Sequence, residues 1–235
     1  MRVLPILFNT EMVRAILDGR KTCTRRLVKP QPKSKLCYTF AGSDVGTWGY
    51  PDKTAHEIWG EEFKLPIDVT KKELSKRWNP SYHTDDILYV RETWCGLPVN
   101  EAGHMRGHTI YYYKADGELR PKGWRGTWHP SIHMPKEAAR IWLKVTDVRV
   151  EQLQEITEDG AKAEGINKEW AMSWWAPTYY DPDSGGYPEY RDTFAFEVWN
   201  KTIKKSDLDR YGWFANPYVF VIEFERCEKP EDNQN

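Results

Sequence analysis

The most constraining feature of the chain is the stretch "AARIWLKVTDVRVEQL" at residues 138–153. Ile141, Leu143 and Val145 recur at every second position, and Val148 and Val150 then resume the alternation in the opposite parity. A period of two is the signature of a strand, and the parity change near Asp147 marks a register change within it. The flanking segments do not alternate regularly between strand and helix. "RVLPILF" reads as a strand, and Glu11 to Asp18 as a helix, with Thr10 as its cap, Val13, Ile16 and Leu17 at helical spacing, and Gly19 in the left-handed closing position. "CTRRLVK" reads as a turn leading into a strand that Pro30 and Pro32 end. "DDILYVRETW" is a strand with Ile87, Tyr89 and Arg91 on one face and Leu88, Val90 and Glu92 on the other. "HTIYYYKADG" is another strand. "TEDGAKAEGI" is a short helix capped by Thr157 and ended by Gly165, "YRDTFAFEVWNKTI" is a helix with Phe194, Val198 and Trp199 on one side, and "PYVFVIEFER" is a closing strand.

That order argues against a doubly wound parallel sheet. It predicts an α+β fold: a mixed β-barrel with a few flanking helices, in one domain over residues 1–235. Two poorly patterned stretches, at about 31–85 and about 167–187, read as long insertions. The first contains a candidate short helix near "DVTKKELSKRW", and residues 228–235 read as a loose polar tail.

A formal net charge of −1 gives no global field toward nucleic acid, so any such contact must come from a local patch. No apolar run reaches the roughly 20 residues that span a bilayer, so no membrane association is expected. "MRVLPILFNTEM" lacks a small-residue cleavage site and is not read as a signal peptide. Cys23, Cys37, Cys95 and Cys227 are scattered, which favours a reducing cytoplasm over a disulfide framework. A monomer is expected. The 12 tryptophans, Trp48, Trp59, Trp78, Trp124, Trp128, Trp174 and Trp175 among them, either pin long loops to a small core or offer a stacking surface for bases or sugars.

No glycine-rich dinucleotide fingerprint, Walker sequence or nucleophile elbow is present, and no cofactor is expected. His104 and His108, and His129 and His133, are spaced as metal-binding pairs can be. Gly103, Gly107 and Pro130 make both stretches poor helices, so no metal site is expected.

Chemistry concentrates in "LDGRKTCTRR", residues 17–26, with four cations and two threonines just past a helix end. On one account Arg20 and Lys21 complement the helix dipole and Arg25 and Arg26 are a solvated strand edge. On the other, Lys21, crowded by three arginines and partly desolvated, is a base for the Thr24 hydroxyl. The residues alone leave both open. Glu164 lies in the last turn of "TEDGAKAEG", where the helix dipole disfavours a carboxylate; it is either a proton shuttle or an ordinary exposed glutamate.

Taken together, "ILDGRKTCTRR", "ILYVRETW", "HPSIHMPKEAARIWLKVTDVRVEQLQEIT", "TEDGAKAEG" and "YVFVIEFE" resemble the ASCH domain family, in particular its long bacteriophage and prophage members. The resemblance covers most of the chain outside the two insertions. It implies a PUA-like barrel and a role in RNA metabolism. Some small ASCH proteins are amidohydrolases that remove the acetyl group from N(4)-acetylcytidine, with the lysine and threonine of a K-x-x-T motif and a later glutamate. Those places fall on Lys21, Thr24 and Glu164. Arg26, Arg91, Glu92, Trp94 and His133 are then expected to bind substrate: Arg91 through a phosphate or carbonyl and Trp94 by stacking. The implied partner is a modified nucleoside or RNA. The alternatives are a non-catalytic binding module for RNA or a modified nucleobase, and a ribonuclease using Lys21 and Glu164 as acid and base.

Overall fold

The computed structural model describes residues 2–31, 37–39, 47–49, 80–99, 108–117, 126–179 and 189–231. The strands are β1 (Val3–Leu7), β2 (Cys23–Leu27), β3 (Cys37–Thr39), β4 (Thr47–Gly49), β5 (Ile87–Arg91), β6 (Trp94–Val99), β7 (His108–Tyr113), β8 (Trp142–Gln152) and β9 (Tyr218–Cys227). Five of them form one mixed sheet in the order β1-β5-β8-β9-β2, with β1 and β5 parallel and the other neighbours antiparallel. β3 and β4, within the first insertion, form a separate antiparallel pair, as do β6 and β7. The candidate helix near "DVTKKELSKRW" lies outside the described residues, as does the end of the polar tail.

β8 pairs along its length with β9, and Thr146 is the extra residue of a bulge, since Val145 faces Phe224 and Asp147 faces Glu223. That bulge is the parity change of the sequence. β9 is apolar at consecutive positions because both of its faces are covered. Phe220, Ile222 and Phe224 join Ile6, Val13, Ile16, Leu88 and Leu143 in one core, while Val219 and Val221 join Leu153, Ile166, Phe194 and Trp199 in a second.

α1 (Thr10–Leu17) packs on the first core through Met12, Val13, Ala15 and Ile16. Its cap is Asn9 rather than Thr10: the Asn9 side chain accepts the Met12 N–H at 2.9 Å. On the other face lie α2 (Glu158–Ala163), α3 (Lys168–Tyr179) and α4 (Tyr190–Thr193). α4 runs on through a π-helical stretch, Phe194–Trp199, into Asn200–Thr202. α3 corrects the reading of residues 167–187 as unpatterned. The Asn167 side chain caps it by accepting the Trp170 N–H at 2.9 Å, but Pro177 and the lack of a single apolar stripe hide it in the sequence.

The expected barrel is an open sheet, and no strand pairing among the described residues closes it. β1 and β2 are its two edges. α1 connects them, and Arg26 on β2 donates to the Leu7 carbonyl at the end of β1 at 3.2 Å. The candidate site lies at this seam.

Candidate active site

The turn after α1 is built by backbone bonds. Gly19 adopts φ +75°, which lets the N–H groups of Arg20 and Lys21 both return to the Ala15 carbonyl at 2.9 Å. Lys21 then pairs as an antiparallel bridge with Glu164, and the Thr22 N–H binds the Ala163 carbonyl at 2.9 Å. Residues 143 apart in sequence are thus joined by main chain. Glu164 is the closing residue of α2, and Gly165 follows at φ +104°. A Cβ on Gly165 would lie 2.7 Å from the Ala15 Cβ and 3.1 Å from the Lys21 Cβ, so only glycine allows this approach.

The side chains meet in the same place. Lys21 Nζ donates to Glu164 Oε2 at 2.7 Å, to the Cys23 carbonyl at 2.7 Å and to the Glu164 carbonyl at 3.0 Å. All three ammonium hydrogens therefore have acceptors. Both side chains are buried, at 1% and 2% exposure. Arg25 Nη1 reaches the other Glu164 oxygen at 3.3 Å, and its Nη2 reaches Glu151 at 3.2 Å. Thr24, also buried, accepts from Arg26 Nη1 at 2.9 Å; no direct hydrogen bond joins it to Lys21. The crowding of Lys21 by three arginines is relieved in the fold. Arg20 pairs with Asp18 at 2.8 Å and donates to the Gly165 carbonyl, and Arg25 lies between two glutamates. Arg26 has no carboxylate partner among the described residues, and burial pushes its guanidinium down from the ordinary value. Cys23 is a poor nucleophile: burial and the Glu164 charge push its thiol up to about 12.

These groups open on a cleft of about 1030 Å³, which Lys21, Thr24, Arg25, Arg26 and Glu164 line. Its apolar wall includes Phe8, Trp170, Phe194 and Trp199. Phe8 forms the floor beneath the cations, with Lys21 Nζ 5.4 Å and the Arg26 guanidinium carbon 5.5 Å from its ring centre. The π-helical stretch brings Phe194, Val198 and Trp199 to this wall.

Arg91, Glu92, Trp94 and His133 do not line this cleft. "DDILYVRETW" is not one strand: β5 ends at Arg91, and Trp94 begins β6 in a different sheet. The break is anchored by Glu92, which is 1% exposed and paired with Arg140 at 3.0 Å. Arg140 is also bound to Asp116 at 2.7 Å and stacks 3.9 Å from the Tyr113 ring centre. Arg91 turns to the Ile132 carbonyl, Trp94 packs against Tyr111 and His129, and His133 is exposed on a single helical turn. His104, Trp59, Trp78 and Trp124 lie outside the described residues. Sequence reasoning missed Arg25 and Phe8 as site residues. Arg25 stands in the same cationic run, but which strand face a residue takes becomes visible only from the pairing of β2 with β9.

No family model matches the chain, and a search of the curated proteins finds no match. Among solved structures the chain is similar to the ASCH domain from Lactobacillus crispatus JV V101. The identity is 12%, the match covers 96% of this chain and 79% of that one, and the TM-score is 0.33. That neighbour is an ASCH domain. A superposition this loose carries no argument about the site, and the chemistry below rests on this chain's own residues.

Proposed function

We propose that the cleft binds a cytosine base carrying an N(4)-acyl group and hydrolyses its amide. The observation that carries this reading is the buried Lys21–Glu164 pair, 2.7 Å apart, on a cleft that Thr24 also lines. The match of Lys21, Thr24 and Glu164 to the K-x-x-T and glutamate positions of ASCH amidohydrolases supports the same assignment. Lys21 passes a proton to Glu164 Oε2, leaving a neutral amine beside a carboxylic acid. The amine takes the Thr24 hydroxyl proton, and Thr24 Oγ1 attacks the acyl carbon. The carbonyl oxygen gains the charge, and Arg26, whose Nη1 lies 2.9 Å from Thr24 Oγ1, is placed to receive it. The C–N bond then breaks as the Lys21 ammonium protonates the leaving amino nitrogen. Water, deprotonated by the same pair, cleaves the Thr24 ester, so one water is consumed and a carboxylate and a cytosine leave. Trp170, in the cleft lining and only partly buried, is the aromatic side chain placed to meet the base.

One observation favours a second reading, a module that binds a modified base or RNA without turnover. The Lys21 hydrogens are all engaged and Thr24 is bonded to Arg26. A single assay separates the readings. Incubation with N(4)-acetylcytidine, with a structured RNA in parallel, should release cytidine and acetate and leave the RNA intact. Salt-sensitive RNA binding with no product would overturn hydrolysis in favour of the binding module. Shortened RNA without acetate would favour a ribonuclease.

A further inference from the structure

Beyond the residues that face a ligand, a continuous chain of charges leads away from the cleft. Glu164 Oε1 accepts from Arg25 Nη1 at 3.3 Å, and Arg25 Nη2 donates to Glu151 Oε2 at 3.2 Å. The other Glu151 oxygen accepts from Arg149 Nε at 2.6 Å, and Arg149 Nη1 reaches Asp147 at 2.9 Å and Glu223 at 2.5 Å. Three elements supply the links: Arg25 comes from β2, Glu151 and Arg149 from one face of β8, and Glu223 from β9. Among the described residues, Arg25 is the cation bonded to both Glu164 and Glu151. Its side chain is 3% exposed, its guanidinium lies 5.9 Å from the Phe194 ring centre, and its Nε is buried without a partner among the described residues. Arg25 lines the cleft, but with its side chain so enclosed and both terminal nitrogens committed to carboxylates it is placed to hold one of them.

We propose that Arg25 is a positioning residue: pinned between Glu164 and Glu151, it holds the Glu164 carboxylate against Lys21, and Glu151, outside the cleft, sets the site through it. The charges fit this role. Lys21 and Arg25 face Glu164 and Glu151, two cations against two carboxylates, so Glu164 is shared between two donors that approach different oxygens. Sharing fixes the plane of the carboxylate, which a single lysine, a point charge on a flexible stem, does not do. Glu151 keeps Arg25 from folding wholly onto Glu164, and Arg149 in turn keeps Glu151 in place.

The proposal rests on the hydrolytic reading only for its kinetic arm. The variants are Glu151→Gln, Arg25→Lys and Arg25→Gln, each assayed for kcat and KM on N(4)-acetylcytidine and each crystallised. Glu151→Gln should lower kcat about tenfold with KM unchanged, an effect in the range of one coupled buried charge, although Glu151 does not line the cleft. Arg25→Gln should lower kcat further, with Arg25→Lys between the two. In the Arg25→Gln crystal the Glu164 carboxylate should rotate off Lys21 Nζ. An unmoved Glu164 in that crystal, or in the Arg25→Lys crystal should the glutamine variant not fold, overturns the proposal. So does a Glu151→Gln enzyme with wild-type kcat. If no variant and no wild-type protein turns over the substrate, the amidohydrolase reading fails, and the crystals alone still decide the role of Arg25.

Discussion

Glu164 and Glu92 are both almost wholly buried, and both are held by a cation within 3.0 Å. In the sequence each sits in a segment that resembles the same family, and each is a candidate for the site. The fold separates them by what lies around the pair. Arg140 is bound to Glu92 and Asp116 and stacked on Tyr113, so the cluster fastens β5 to the β6–β7 pair. Lys21 and Glu164 close a seam too, but their pair lines a large cleft together with a hydroxyl and an arginine that has no carboxylate partner among the described residues. Burial of an ion pair is thus weak evidence of function, because structural pairs are buried as well. Access to a concavity beside a hydroxyl is what distinguishes them.

The largest effect that tests this distinction is on turnover. Lys21→Arg keeps the charge but cannot act as a base near neutral pH. It should lower kcat on N(4)-acetylcytidine by about 10²–10⁴-fold, the usual size of general acid–base catalysis. Glu92→Gln should leave kcat within a factor of about two, because it lies outside the cleft; a loss as large as that of Lys21→Arg would place Glu92 in the site after all. Next is stability. Glu164→Leu removes the shared carboxylate from two buried cations and should cost about 3–5 kcal/mol, read by urea unfolding monitored on tryptophan fluorescence. A cost under about 1 kcal/mol would mean that the pair is solvated and not the enclosed unit described here.

Periodicity made β8, its bulge and β9 readable, because a strand buried on one or both faces must show which positions are apolar. The break between β5 and β6 was not readable. It depends on Glu92 meeting Arg140, 48 residues away, and nothing local marks "VRETW" as two elements. α3 was hidden for a different reason: its capping asparagine precedes aromatic residues that form no single stripe. Within the site, the cationic turn stood out by composition. The meeting of Lys21 with Glu164 came only from the resemblance, because a backbone bridge across 143 residues leaves no spacing to read. Arg25 was passed over because its value lies in two glutamates on other elements.

Gly165 gives a smaller and more local test. Gly165→Ala forces a left-handed φ on a residue with a side chain and drives its Cβ into Ala15. Strain of this kind should cost about 1–3 kcal/mol in unfolding free energy. It should also lower kcat, because Gly165 follows Glu164 directly and the chain there must shift from Lys21. Gly117, at φ +85° and ψ −154°, is also strained for alanine but has nothing within 4 Å of its added Cβ, so Gly117→Ala should leave kcat unchanged. Equal effects at the two glycines would break the link between this close approach and the site.

The smallest effect concerns the pH dependence of the structural pair. Burial pushes the Glu92 carboxyl up from its ordinary value, against the pull of Arg140. A carboxyl whose folded value lies above its unfolded one binds a proton more tightly in the native state. The stabilisation it contributes is therefore complete below about pH 4.5 and is lost as the pH rises through the folded value. Glu92→Gln removes the titration and leaves a neutral group beside Arg140, which Asp116 still holds. Urea unfolding of both proteins between pH 4 and pH 8 should show the wild type falling in stability relative to the variant as the pH rises. The sign of that change, rather than its size, is the test. A difference that grows in favour of the wild type over that range would mean that the Arg140 charge outweighs burial. Glu92 would then be held by Arg140 chiefly as a charged partner, and its burial would not set the pH dependence of this region.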